Sequence, residues 1–385
     1  MRHWRLGRLA IAVTGTLLAA SLEASAAGND ESASAAAGAV RTDAPDRTLS
    51  VLLGGDILTE DRVLRVGAAA AAPGERYDFA PALGPVAAIV GSVDLAICHM
   101  ELPIGGAGER PGVYGRSPFG GNLLLAPYEM ADALRHTGFD RCSTASNHST
   151  DVGTPGIDST LAALDDAGIS HVGTARTSDE ALDTVFVVNG VRVSHLAYTR
   201  YSNTARPREP WRLNFAATPQ QVTTDVAAVR AAGAEVVIVS LHLSQEMQRG
   251  PSTEARAFTT ELTALTDIDL VVHHGPHVVQ PVERVNGTVV YWSVGNLISA
   301  MGTPGRGRYS DPRSLDGLLA TARFTELSPG EFEVEPWTVL ICNEAVDRTV
   351  RAPVAELADG LLAPSKLAEM QACVDRSSSI AADLH

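Results

Sequence analysis

The chain has 385 residues, 45% of them hydrophobic and 19% charged, with a formal net charge of -15 at pH 7. That apolar content can bury a large core in one large domain or two smaller ones. So acidic a surface repels nucleic acid and anionic membranes, which excludes both as broad partners and requires an anionic ligand to be held by local positive charge.

Arg2, Arg5 and Arg8 precede an apolar run over residues 9–22, and Ala24, Ser25 and Ala26 follow it. A basic start, an apolar stretch too short for a comfortable span and a small-residue cleavage site read as a secretory signal over 1–26; an uncleaved N-terminal anchor is the alternative. The expected location is secreted or cell-surface. Residues 27–47, rich in Ala, Ser, Asp and Gly without periodicity, read as a flexible spacer. A domain is expected over 48–345 and a helical tail over 346–385.

Residues 50–53 form an apolar run that suits a strand covered on both faces, and it ends at Gly54-Gly55-Asp56. A short helical pattern over 81–90 precedes a second buried strand over 94–98, which leads into His99-Met100-Glu101-Leu102-Pro103 and places Glu101 as Asp56 is placed. Residues 104–122, rich in Gly and Pro, show no element pattern and read as a long loop carrying Arg110 and Arg116, the candidate anion-binding cations. A helix over 128–136 stops at Gly138. The apolar run 139–145 then delivers Ser146-Asn147-His148-Ser149-Thr150-Asp151-Val152-Gly153 to a βα turn, the position where α/β sheets hold their chemistry. Asn147 offers a hard oxygen ligand and His148 a titratable nitrogen. Thr154 as cap, Pro155 at the first helical position, an apolar face at Ile157, Leu161 and Leu164, and Gly168 as stop define the next helix.

Asn189-Gly190 and Asn286-Gly287, each between apolar runs, predict hairpins over 185–198 and 282–292, so the sheets are mixed. Between them a helix over 222–232 precedes the apolar strand 236–241, which delivers His242. A helix over 254–265 leads to the strand 270–272, which runs into His273-His274-Gly275-Pro276-His277. A strand over 289–294 ends in Gly295-Asn296, a few residues of strand follow Phe332, and 365–375 is an outer helix. Cys342 and Cys373 are the expected disulfide, whereas Cys98 and Cys142, inside buried strands, read as free thiols packing as small hydrophobes.

Successive strands thus end in Asp56, Glu101, Asn147-His148, His242, His274/His277 and Asn296, and neighbouring strand ends converge at one edge of an α/β sheet. Two carboxylates, one amide oxygen and three imidazoles, with no thiolate, suit a pair of divalent Mn, Fe or Zn ions better than Ca or an iron–sulfur cluster. Two such ions share a bridging ligand, activate water and clamp an oxyanion.

The succession of Gly55-Asp56, Glu101-Leu102-Pro103, Asn147-His148 with Asp151 and Gly153, His242 with Glu246, the run from His274-Gly275-Pro276-His277 to Pro281, and Tyr291-Trp292-Ser293-Val294-Gly295-Asn296 resembles the CapA family. These are poly-γ-glutamate capsule synthesis proteins, similar in turn to calcineurin-type metallophosphatases, and the likeness runs over about residues 49–300. The resemblance implies an α/β fold, a four-layer αββα sandwich with mixed sheets and a dinuclear site. In it Glu101 bridges, Asp56 and one of His274/His277 hold one ion, and Asn147, His242 and the other histidine hold the second. His148 is the implied general acid, Asp151 and Glu246 join the catalytic set, and Asn296 faces substrate with Arg110 and Arg116. Four departures stand out: Asp56-Ile57-Leu58 replaces the metallophosphatase Asp-x-His, His99 stands where the family has Asn, Leu243-Ser244 replaces Trp-Gly, and His273 replaces a Gly. Spacing leaves open which of His273, His274 and His277 bind metal; His274 and His277 are preferred. The implied activity is that of an exported metal-dependent hydrolase or transferase acting on an amide-linked anionic polymer such as poly-γ-glutamate, or on a small-molecule substrate, beside a membrane-bound polymer synthase. A phosphoesterase, a peptide epimerase and a non-catalytic scaffold of the synthase are the alternatives.

Overall fold

The apolar run at residues 50–53 lies within β1 (Thr48–Ile57), a strand buried over nearly its whole length in the computed structural model. The structure describes residues 47–381 apart from Asp183, Ser244 and Leu361. The expected signal segment over 1–26, and the spacer over 27–47 except its last residue, lie outside the described residues. That last residue, Arg47, is tied to Glu235 and Glu326 by ion pairs. No helix among the described residues is long and apolar enough to cross a membrane.

The chain continues through α1 (Asp61–Ala70), α2 (Ala80–Val90), β2 (Leu95–His99), β3 (Gly112–Arg116), β4 (Asn122–Leu125), α3 (Glu129–Thr137), β5 (Arg141–Ser143), α4 (Thr154–Asp166) and β6 (Ser170–Val172). Next come α5 (Ser178–Leu182), β7 (Val185–Val188), β8 (Val191–Thr199), α6 (Pro219–Ala231), β9 (Val236–His242), α7 (Thr253–Leu265), β10 (Leu270–His274), β11 (Val282–Val285), β12 (Thr288–Tyr291) and β13 (Asn296–Ile298). The last elements are β14 (Asp316–Ser328), β15 (Glu331–Asn343), β16 (Val350–Arg351), α8 (Pro353–Ala358) and α9 (Pro364–Ala381).

One sheet has the order β16-β15-β14-β1-β2-β5-β6, with β13 also pairing β1; the other has the order β11-β12-β10-β9-β8-β7. Alternation along each strand sends successive side chains to opposite faces. Leu49, Val51 and Leu53 therefore meet Val193, Ile238, Leu270 and Tyr291 between the sheets. Leu52 and Ile57 face the other way, toward Val63 of α1, Leu83 and Val86 of α2 and Leu134 of α3. Val237, Val239 and Leu241 pack under Val222 and Val226 of α6 and Phe258 and Leu262 of α7. Helices, sheet, sheet and helices make the expected αββα sandwich, and both sheets are mixed.

Four expectations change. Residues 104–122 are not a featureless loop: β3 and β4 pair as a hairpin, with Gly112 and Gly115 at positive φ, which only glycine adopts without strain. Gly153, at φ +73, holds the N-cap position of α4, so Thr154 is already inside the helix. Two 13-residue strands, β14 and β15, replace the few residues of strand expected after Phe332. Cys98 and Cys142 are register partners on the parallel neighbours β2 and β5, with Cα atoms 4.4 Å apart, and they form a disulfide rather than two free thiols.

The expected Cys342–Cys373 disulfide ties α9 to β15 across 31 residues of chain. Closing a loop of that length in the unfolded state is worth about 3.7 kcal/mol. Cys342→Ser with Cys373→Ser is accordingly expected to lower the unfolding free energy by about that amount in urea titration, and an unchanged midpoint would show that the bond adds nothing to stability.

Candidate metal centre

The strand register gathers the polar strand ends at one edge. Asp56 on β1 lies beside His99 of β2 and Asn296 of β13; His99 lies beside Ser143 of β5; His274 of β10 lies beside His242 of β9 in the other sheet. Between Tyr291 and Asn296 the chain leaves the second sheet and joins the first, so Asn296 begins β13 instead of ending β12.

Asp56 and Glu101 are buried side by side with His274 and His277. Asp56 Oδ2 accepts from the Gly275 amide at 3.1 Å and lies 3.0 Å from His277 Nδ1. Asp56 Oδ1 approaches His274 Nδ1 at 3.3 Å without the geometry of a hydrogen bond. Glu101 Oε1 is 3.8 Å from His277 Nε2 and 4.0 Å from His148 Nε2. The His99 ring stacks on His274 with centroids 3.9 Å apart, and its Nε2 is 3.1 Å from His242 Nδ1. Gly275, at φ +99, allows this packing, because a Cβ there would lie 2.8 Å from His242 Nε2.

Six atoms here are buried without a hydrogen-bond partner among the described residues: Asp56 Oδ1, both Glu101 carboxylate oxygens, Asn147 Oδ1 and both His274 nitrogens. Each such buried polar atom costs about 1–3 kcal/mol if nothing meets it. All six belong to residues with cation-binding chemistry, and their carboxylate, amide and imidazole character fits divalent metal ions. The ligand atoms of Asp56, His99 and His274, and those of Asp56, Glu101 and His277, each lie within 4.8 Å of one another. His99 therefore brings an extra imidazole to the Asp56 corner, and Leu58, two residues along, is a buried apolar residue.

Charge in the cluster is unbalanced. Burial and the Asp56 charge push the Glu101 carboxyl up to about 8 against the pull of His277. Burial opposes the charging of His277, yet Glu101 and Asp56 outweigh it and hold the imidazole at about 10. Burial also opposes the Asp56 charge, but the adjacent His274 and His277 keep that carboxyl well below the usual range. Burial drives His242 down to about 3 and His99 well below its ordinary value.

Beside the cluster, His148 Nδ1 is 2.5 Å from Asp151 Oδ2, which also accepts from the Leu124 amide at 2.7 Å. Burial works against a charged His148, but the Asp151 bond and charge outweigh it and raise the His148 pKa. Asn203 was not expected and ties the group together: its side chain reaches His148 Nδ1 at 3.0 Å, Asp151 Oδ1 at 3.3 Å and the Asn147 amide at 3.2 Å. It sits in the loop after β8, where no motif marks it. The Asn147 amide nitrogen is thereby occupied and its oxygen is left for a ligand.

The other expected residues separate. His273 faces the helix side, where its Nε2 is 2.9 Å from Thr259 Oγ1 of α7, and it takes no part in the cluster. Glu246 lines the cavity at the cluster and accepts from the Tyr309 hydroxyl at 2.7 Å. Asn296 does not face substrate: it is fully buried, with Nδ2 donating to Ser314 O at 2.9 Å and Oδ1 accepting from His277 Nδ1 at 3.0 Å. It holds His277, whose φ of +58 lies in the left-handed region. Arg110 is exposed at the start of the hairpin and lines neither cavity at the cluster, whereas Arg116 lines one of them. Arg200, Arg306 and Arg308, unmarked by any motif, line these cavities as well.

Among curated proteins, the chain is similar to the PGA biosynthesis protein CapA of Bacillus subtilis (strain 168), at 25% identity over 54% of this chain and 53% of that one. It is also similar to the capsule biosynthesis protein CapA of Bacillus anthracis, at 27% identity over 46% of this chain and 44% of that one. The chain thus spans about half the length of the curated relatives it matches. Among solved structures, it resembles the calcineurin-like phosphoesterase YfkN from Bacillus subtilis at 11% identity and a TM-score of 0.44, covering 85% of this chain and 100% of that one. It also resembles a 5'-nucleotidase precursor from Thermus thermophilus at 14% identity and a TM-score of 0.41, covering 82% of this chain and 58% of that one. The family described as "Bacterial capsule synthesis protein PGA_cap" matches residues 50–301, well over half of the 385, and takes in every residue of the cluster; the chain belongs to this family.

Proposed function

We propose that the chain is an exported, metal-dependent enzyme of capsule biosynthesis that acts on an amide-linked glutamyl polymer. The observation that carries this reading is the set of buried, unpartnered ligand atoms on Asp56, Glu101, Asn147 and His274. A purely structural role leaves such atoms at a cost with no return. Family membership and the names of the two curated relatives support the capsule setting and the glutamyl polymer; the basic-then-apolar N-terminus supports export.

Asp56, Glu101, Asn147, His242, His274 and His277 would hold the ions, with His99 against His274 and His242. Bound divalent ions supply water activation and charge neutralisation for a developing oxyanion. The chain's own acid is His148: Asp151 fixes Nδ1, so the proton available to a leaving group is on Nε2, the nitrogen that faces Glu101. Asn203 keeps this pair and the Asn147 oxygen in place, donating to Asp151 Oδ1 and accepting from the Asn147 amide nitrogen.

Elemental mass analysis of the purified protein beside an Asp56→Ala/His242→Ala variant tests the reading. One to two equivalents of a transition metal are expected in the native chain and almost none in the variant. A native chain that takes up no metal on reconstitution would sink the catalytic reading and leave a polymer-binding protein.

A further inference from the structure

Two cavities, of about 590 and 560 Å³, meet at the cluster and share the wall formed by Phe119, Asn147, Asn203, Glu246, His277 and Arg308. Beyond that wall their linings diverge, one along Arg200, Tyr201 and Gln248, the other along Arg116, Asn122 and Arg306. Each is large enough for a small-molecule-sized segment. A site that recognises the end of a substrate needs one arm; two arms leave room for substrate on both sides of the reacting group.

The second arm carries uncompensated charge. Arg200, Arg306 and Arg308 are each paired with a carboxylate, Glu254, Glu60 and Glu246. Arg116 donates to the Gly120 carbonyl at 3.2 Å and meets no carboxylate among the described residues. On a chain of net charge -15, an unneutralised guanidinium beside the site draws in an anion by local field. Next to it, the Phe119 ring is 79% exposed and lines both arms where they meet. The hairpin turn that presents it is fastened to the site: Ser117 Oγ donates to Asn203 O at 2.7 Å, and the Leu124 amide to Asp151. An exposed apolar ring on a fastened turn, beside a guanidinium that meets no carboxylate among the described residues, matches a chain in which methylene segments alternate with carboxylates.

We infer that the site engages an anionic polycarboxylate chain from within, with substrate in both arms, Phe119 against its methylenes and Arg116 on a carboxylate. The identity of the chain rests on the proposed function; the two-armed engagement rests on the cavities.

Calorimetric titration of the full chain with γ-linked glutamate dimers, tetramers and octamers, with ends free or blocked, tests this. Native protein and the Asp56→Ala/His242→Ala variant are run side by side, with metal content measured on both. Affinity is expected to rise from dimer to octamer and to survive blocking of both ends. Arg116→Ala is expected to weaken the octamer by about fivefold, as one exposed charge contact can, and to reduce the salt dependence. Phe119→Ala is expected to weaken it without changing the salt dependence. Equal affinity for dimer and octamer, or loss of binding on blocking the ends, would overturn internal engagement. A metal-loaded protein that binds none of the oligomers would overturn the polycarboxylate and leave the metal centre standing. Length-dependent binding by a chain without metal would uphold the two-armed groove and remove the catalytic reading instead.

Discussion

Stripped of divalent cations, the protein is expected to be most stable near pH 6.5 and to lose about 2–4 kcal/mol of unfolding free energy by pH 8. Folding lifts the Glu101 value from 4.5 to about 8 and that of His277 from 6.5 to about 10. Between pH 6.5 and 8 the folded chain therefore holds more protons than the unfolded one, and stability falls as the pH rises. His148, also raised, acts in the same direction. Below pH 6.5 the sign reverses: His99, His195, His242 and His273 are kept neutral by burial and take up protons only on unfolding. A bound cation substitutes for the protons on Glu101 and His277, so saturating metal should flatten the alkaline limb. Urea titrations in chelator at pH 6.5 and 8, repeated with metal, read this directly. Glu101→Gln should remove about half of the alkaline slope of the chelated protein. A chelated wild type equally stable at both pH values would contradict the buried-charge picture of the cluster.

Gly55→Ala should be among the most damaging single-methyl additions in the chain, costing about 3 kcal/mol or more. A Cβ at Gly55 would lie 2.3 Å from the Gly295 carbonyl oxygen and 2.9 Å from the Leu297 nitrogen, both backbone atoms. Neither can turn aside as a side-chain tip would. That close approach lets the Asp56 amide donate to Gly295 O at 2.9 Å and brings β13 beside β1. Loss of it should separate Asn296 from Asp56, so the variant should lose metal along with stability. Gly84→Ala, with nothing within 4 Å of the added carbon, is the matched control. A Gly55→Ala protein as stable as that control would mean that β13 can shift without cost.

Most of the parallel core could be read from the chain because its strands are short, wholly apolar and closed by ligand-type residues. Residues 50–53, 236–241 and 270–272 are of this kind, and Asn-Gly marked both tight hairpins. β14 was missed for the opposite reason: only one of its faces is continuously apolar, at Leu318, Ala320, Ala322 and Phe324, and the intervening Thr321 and Arg323 break the run. Period-two counting would have found it. The Cys98–Cys142 bond depends on the register of β2 against β5, which neither strand encodes alone. In the site, residues at strand ends were visible, whereas Asn203, in a loop, and Arg308, in a single 3-10 turn, lie in segments whose approach only the folded chain defines. Asn296 was found but expected to face substrate from the end of the strand over 289–294, because the crossing from one sheet to the other after Tyr291 has no local signature.

The pairing of Thr48–Ile57 with Asp316–Ser328 also fixes an order of events during synthesis. The first core strand emerges from the ribosome roughly 270 residues before its antiparallel partner, a wait of roughly tens of seconds at ordinary elongation rates. Throughout that interval its edge has unsatisfied amides and carbonyls and is open to pairing with other chains. Completion of the first sheet therefore waits on the synthesis of Asp316–Ser328, and the Asp56 corner can form only once Asn296 has been made.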